Sequence, residues 1–242
     1  YDAAFSNPIK SSNVYDIFGQ LIGSIPPNYY QNNASPQTNS FDPGPVPVPP
    51  IASSFNYDFW GRQIESYAPD SGIKKIIYDN SSRPRFLQDA RGADGNTYFN
   101  YIKYDVLGRT IEVGLYTDTN AWDQAALENY ANSPSWPTTN TTIRSDTLYD
   151  VDNADGSNST TLTIGGRPWK ATAYNGESGN TADIVNTYTY RTTGEVLISS
   201  EQAIYNGTSG TTYNMVYDYT INGRITMASD STTSDIATYT VN

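Results

Sequence analysis

The sequence predicts an all-β chain of repeated antiparallel hairpins, interrupted by one short helical insertion. Three observations carry that expectation: a Tyr-Asp-x-x-Gly-Arg phrase that recurs, near-alternation of polar and apolar residues after it, and a composition suited to half-exposed strands. The chain has 242 residues, with 21 Tyr against 7 Phe and 4 Trp, so most of its aromatic surface carries a hydroxyl that needs a partner or water. Tyr- and Thr-rich stretches fit strands, and Asn, Asp and Gly fit the turns between them.

The phrase opens at Tyr15, Asp16, Ile17, Phe18, Gly19, Gln20. It is fullest at Tyr57, Asp58, Gly61, Arg62 and at Tyr104, Asp105, Gly108, Arg109, each followed by x-Ile-Glu. Altered copies are Tyr78-Asp79 to Arg83 with Ser for Gly, Tyr190 to Gly194-Glu195, and Tyr217, Asp218 to Gly223, Arg224, which is two residues longer. Tyr149-Asp150 reaches Gly165-Gly166-Arg167 only after an insertion. Successive Tyr residues are 42, 21, 26, 45, 41 and 27 apart, so the long gaps read as two units, one of them eroded or carrying an insertion.

The physical content of the phrase is a corner. Asp suits the first position of a type I turn, where its carboxylate accepts backbone N–H groups, and Gly supplies the positive φ at the turn exit. A turn of this kind connects two antiparallel strands. On its far side, Arg62-Gln63-Ile64-Glu65-Ser66 and Arg109-Thr110-Ile111-Glu112-Val113 show near-alternation, as a strand exposed on one face should. The Tyr before each turn is expected to stack on the equivalent Tyr of the neighbouring hairpin.

Two stretches break the rhythm. Residues 26–50 hold eight Pro and read as an extended loop, because Pro cannot donate to a strand ladder. Its Pro-Val-Pro-Val-Pro-Pro core reads as a stiff connector, the other reading being a polyproline II segment that docks on an aromatic groove. Residues 120–132 read as a short helix on the near-helical spacing of Trp122, Ala125, Ala126 and Tyr130, stopped before Pro134.

The recurrence resembles the YD-repeat, or Rhs-repeat, family, and the run Arg144 to Asp150, Gly166 to Tyr174 and Thr187 to Gly194 looks like units of the large YD-repeat proteins of Bacteroidota. The resemblance spans residues 1–242 apart from the two insertions. It implies a coiled, curved sheet that forms part of a hollow shell. Rhs proteins and toxin-complex components use such a shell to enclose a toxic C-terminal segment, and other members act in adhesion. The family's self-cleaving motif is built on Asp-Pro-x-Gly-Leu. It has no counterpart here, since Asp42-Pro43-Gly44-Pro45 lies in the Pro-rich loop without that pattern. The chain begins on Tyr1-Asp2 and ends where a further Tyr-Asp turn is expected, so it reads as a piece of something longer.

Composition excludes several chemistries. A formal charge of −11 repels phosphate backbones and anionic lipid. Zero His and zero Cys exclude Ser-His-Asp triads, Cys nucleophiles and His- or Cys-held zinc and haem. No apolar run is long enough to span a bilayer as a helix.

Three other features invite a site. Asp150 to Asn158 is rich in oxygen donors, but its third acid and its Gly sit one place late for an EF-hand, and an Asp-Gly hairpin loop explains the same residues. No carboxylate pair stands out for glycoside hydrolysis. Trp60, Trp122, Trp136 and Trp169 are candidates for stacking on sugar rings, and Asn33, Asn80, Asn140, Asn158 and Asn206 begin Asn-x-Ser/Thr triplets. The expectation is a structural segment without enzymatic activity or cofactor, in a secreted or cell-surface protein. Its partners would be the remaining repeat units or an enclosed C-terminal segment, the alternative being a glycan-binding module.

Overall fold

The computed structural model describes residues 11–26, 53–150, 166–174, 183–191, 193–205, 208–230 and 236–238. The Pro-rich loop beyond Pro26, residues 151–158 of the oxygen-rich loop, both chain ends, and Asn33, Asn158 and Asn206 lie outside the described residues.

Fifteen strands follow one another in chain order across the sheet. They are β1 (Ser12–Tyr15), β2 (Leu21–Ile25), β3 (Ser53–Tyr57), β4 (Gln63–Ala68), β5 (Gly72–Tyr78), β6 (Pro84–Gln88), β7 (Tyr98–Tyr104) and β8 (Thr110–Thr117). Then come β9 (Thr141–Tyr149), β10 (Pro168–Ala173), β11 (Ile184–Tyr190), β12 (Val196–Tyr205), β13 (Thr208–Tyr219), β14 (Ile225–Asp230) and β15 (Ile236–Thr238). Two compact units are present, Tyr1–Phe99 with Asp118–Asn132, and Asn100–Thr117 with Ser133–Asn242.

The meander corrects the reading of the long intervals. β2 pairs directly with β3 (Gly23 opposite Ser54), β8 with β9 (Glu112 opposite Asp146) and β10 with β11 (Lys170 opposite Thr187). Each long interval is therefore a single hairpin unit lengthened by residues inserted between neighbouring strands. A sheet tolerates such insertions because closing a longer loop costs little extra entropy.

In the first unit the core lies where the helical insertion packs. Helix α1 (Ala90–Ala93) is a single turn capped by Asp89, which accepts from Gly92 N, and α2 (Gln124–Tyr130) is capped by Asp123, which accepts from Ala126 N. The expected helix at 120–132 exists, but with a different buried face. Leu127 is 2% exposed and sits with Ala121, Trp122 and Ala131, whereas Ala125 and Tyr130 face solvent. Two edge-to-face contacts join Phe86 to Phe99 (5.4 Å) and Phe99 to Trp122 (5.9 Å). The α1 turn was not expected. Gly92 permits it, because a Cβ there would lie 2.3 Å from Tyr98 O. Asn96 then ties the insertion down, its Oδ1 accepting from Trp122 N (2.8 Å) and its carbonyl from Ala121 N (2.9 Å).

In the second unit Tyr101 is fully buried and lies against Gly114, where a Cβ would be 2.5 Å from the Tyr101 hydroxyl. That hydroxyl donates to Glu112 (2.7 Å), which also pairs with Lys103 (2.9 Å). Tyr174 donates to Asp146 (2.7 Å), and its burial, with the Asp146 carboxylate adding to it, raises the phenol pKa well above its usual value.

A rim of latched turns

The repeated phrase builds one compact object. At Asp58, Gly61 N–H donates to Asp58 O (3.0 Å) and Asp58 N–H to Arg62 O (2.9 Å), closing the turn. One carboxylate oxygen of Asp58 accepts from Trp60 N and Arg62 N (both 2.9 Å), and the other accepts from Arg62 Nε at 2.6 Å. Gly61 has φ +77° and the register shifts by one residue at Tyr57, so the turn exits through a bulge. Asp105 repeats this set with Leu107 N, Arg109 N and Arg109 Nε (2.9, 2.9 and 2.6 Å). Asp79 does so with Ser81 N, Arg83 N and Arg83 Nε (2.8, 2.9 and 2.7 Å). At Asp16 the two backbone bonds to Phe18 and Gln20 remain (both 2.8 Å) and Gln20 replaces Arg.

These bonds dominate the electrostatics. Burial alone would raise the Asp58, Asp79 and Asp105 carboxyls, but the backbone N–H and guanidinium donors outweigh it and hold all three below the usual carboxylate value. Asp150 is held low first by Arg109. Its Oδ2 meets Arg109 Nη2 at 2.6 Å and its Oδ1 accepts from Gly166 N at 2.5 Å. Both oxygens of the first donor in the oxygen-rich loop are thus engaged by protein.

Each turn also holds the next. The Arg62 guanidinium carbon lies 4.7 Å from the centre of the Tyr78 ring, and Arg62 Nη1 reaches Asp79 O (3.3 Å) and Ser82 Oγ (3.2 Å). In the second unit Arg109 lies 4.3 Å from the Tyr149 ring centre, Arg167 5.7 Å from Tyr190 and Arg191 5.3 Å from Tyr219. The Tyr hydroxyls reach back to the strand leaving the preceding turn. Tyr57 donates to Leu21 O (2.9 Å), Tyr78 to Gln63 O (3.0 Å), Tyr190 to Pro168 O (2.6 Å) and Tyr219 to Val196 O (2.8 Å). Where stacking of Tyr on the equivalent Tyr was expected, the ring instead carries the preceding arginine. Because the turns join odd to even strands of a meander, those of each unit share one rim.

Two altered copies depart from the sequence reading. The last turn is built on Tyr219 and Thr220: Gly223 N donates to Thr220 O (3.0 Å), Thr220 N to Arg224 O (2.7 Å), and the bulge falls at Tyr219. Thr220 Oγ1 stands in for the carboxylate, accepting from Arg224 N at 3.1 Å. Tyr217 and Asp218 lie two residues earlier, inside β13. Turn geometry needs two residues between its first position and Gly223, which only Thr220 satisfies. At Tyr190 the charges are exchanged. Arg191 takes the Asp position, and its side chain crosses to Asp218 (2.7 Å).

At the turns that start on Asp16, Asp58, Asp105 and Thr220 the two variable positions are exposed. Ile17, Phe18, Phe59, Trp60, Val106, Leu107 and Ile221 are all exposed, Phe59 at 94% and Trp60 at 76%. Trp122, by contrast, is 9% exposed, and Trp136 and Trp169 are half-buried, so Trp60 alone among the candidate tryptophans is open to solvent. Among the described residues no cluster of three or more Asp or Glu is placed to hold a metal ion, and no helix is long and apolar enough to cross a membrane.

The chain is thus a meander of hairpins whose turns, closed by Asp16, Asp58, Asp79 and Asp105, are latched to a neighbour through Arg and Tyr where both are present. No family model matches the chain. A stretch of 113 residues is 30% identical to Salivary gland surface protein 1 of Aedes aegypti, covering 45% of this chain and 3% of that protein. The crystal structure of TcdB2-TccC3-TEV is similar over 93% of this chain, with a TM-score of 0.59 and 18% identity. The Photorhabdus luminescens Tc holotoxin pore is similar over 93%, also with a TM-score of 0.59, at 16% identity. This chain spans 9% of the length of either. The likeness is one of fold: the chain has the YD-repeat, Rhs-like all-β architecture.

Proposed function

We propose that the chain is a structural segment, a stretch of wall in an exported YD-repeat shell or cell-surface protein that encloses or presents a cargo or mediates adhesion. The observation that carries this reading is the lateral latch. Repeating a ring, a guanidinium and a carboxylate at successive turns rigidifies a rim and commits the Asp58 and Asp105 carboxylates to holding it, each accepting from backbone and guanidinium donors. The likeness in fold to Tc toxin chains, each far longer than this one, supports a role as part of a larger wall. In this reading the chain has no enzymatic activity, and its partners are further repeat units or an enclosed C-terminal segment, a toxin among the candidates. The name of the mosquito relative, a surface protein, supports a secreted or surface location. The likeness to Bacteroidota proteins rests on the sequence phrases alone.

Limited proteolysis and electron microscopy of the full-length gene product test the reading. The expected result is a closed wall of hairpins and a C-terminal segment cleaved only after the wall is unfolded. An open sheet whose C-terminal segment is cut at the same rate before and after denaturation would overturn the enclosing role.

A further inference from the structure

The first unit contains a cleft of about 210 Å3 between the Asp58 turn and helix α2. Its floor is Ile64, Ile76 and the Tyr78 ring, and its open side is flanked by Trp60. From the helix come Gln124 and Glu128, one turn apart. That volume is smaller than the roughly 300–1,000 Å3 of drug-sized ligand sites, so it has room for one ring of a ligand.

The polar pair is held in place. Trp122 Nε1 donates to Gln124 Oε1 (3.1 Å), and Gln124 Nε2 donates to Glu128 Oε1 (2.6 Å). Trp122 is itself packed edge-to-face on Phe99, so the relay starts from a fixed ring. It leaves one amide N–H of Gln124 and the second carboxylate oxygen of Glu128 with capacity for a ligand. Phe59, which also lines the cleft, stands edge-to-face with Trp60 at 5.6 Å and 82°.

Charge narrows the ligand class. Arg62 lines the cleft, but Asp58 neutralises it at 2.6 Å and its Nη1 is already bonded. Glu128 is then the uncompensated charge in a chain of −11, which disfavours an anion. The Tyr78 face is not open to a ligand, because it already carries Arg62, which leaves Trp60 as the open aromatic face of the cleft. A neutral ligand with an apolar face and a hydroxyl-bearing edge matches an exposed indole beside an amide N–H and a carboxylate oxygen. We propose that this cleft binds a neutral saccharide, one sugar ring stacked by its C–H face on Trp60 and its hydroxyls shared between Gln124 and Glu128. The stacking sets weakly positive C–H groups against the negative face of the indole. This inference goes beyond the structural reading and does not depend on it.

The test is tryptophan fluorescence and calorimetry of the intact chain titrated with cellohexaose, maltohexaose, chitohexaose and mannohexaose. At least one should give a saturable shift with Kd on the order of micromolar to millimolar. Trp60→Ala should weaken it by roughly tenfold or more, with the melting temperature unchanged because the ring is exposed. Glu128→Gln should weaken it by about threefold to tenfold through loss of the charged acceptor. Three outcomes would each overturn the proposal: no saturation at tens of millimolar sugar, undiminished binding in Trp60→Ala, or binding of a decaproline peptide in the cleft while the sugars fail.

Discussion

At the residue scale, the chain relies on a division of labour within six positions. Asp closes the turn, Gly exits it, Arg bridges forward and Tyr receives. Gly108 has φ +86°, so Gly108→Val should cost about 1–2 kcal/mol and Gly108→Asn distinctly less, since Asn visits the left-handed region more readily. The natural experiment is present at Ser82, which holds φ +61° in a turn that keeps its Asp and Arg. Equal urea midpoints for the two variants would contradict the bulge assignment. Acid stability follows from the carboxyls. Asp79 has a folded-state pKa below its unfolded value, so the unfolded chain takes up the proton first. The stabilisation is complete above the ordinary carboxylate value, about 4, and is lost as pH falls through the folded value. Urea midpoints measured against pH should therefore drop on the acid side, and Asp79→Asn should flatten that drop while lowering the midpoint at neutral pH. Superimposable acid limbs for the two proteins would show that the turn carboxyl is not linked to folding.

At the element scale, the insertions determine where a core forms. A sheet this rich in Tyr and Thr has little apolar surface to bury on its own, and in the first unit the α2 insertion supplies buried Leu127 from the helix and Trp122 and Ala131 from its two flanks. Leu127→Ala should destabilise that unit by about 2–5 kcal/mol, through lost burial and the cavity left behind. Tyr130→Ala, on the more exposed side of the same helix, should cost distinctly less than Leu127→Ala. Chemical denaturation of the two variants separates the buried face seen here from the one that helical spacing alone suggests, which would make Tyr130 the costlier loss.

At the scale of the whole molecule, the meander leaves strand edges. Among the described residues the outermost strands are β1 and β15, each with one sheet neighbour. An unpaired edge offers a row of N–H and C=O groups to any other strand. Isolated residues 1–242 should therefore self-associate with rising concentration, as followed by sedimentation velocity. A monomer at every concentration would mean that these edges are covered within the chain itself.

The hairpin rhythm, the all-β class and the presence of a helix near Trp122 were legible in the sequence, because each rests on local chemistry. Asp-x-x-Gly dictates a turn within a few residues, alternation dictates a strand, and Asp123 caps the helix that follows it. The sequence misassigned the last turn, because Tyr217-Asp218 matches the phrase in letters while Thr220 supplies the same acceptor in a less familiar residue. What each Tyr and Arg touches belonged to the tertiary structure alone. Tyr78 meets Arg62, and Arg109 meets Asp150, only when neighbouring hairpins lie side by side in register. The same holds for the cleft beside Trp60, whose floor comes from two strands and whose polar wall comes from a helix some sixty residues later in the chain. Turn chemistry is short-range and readable from a few letters, whereas a side chain's partners are chosen by pairing register and by where an insertion folds back.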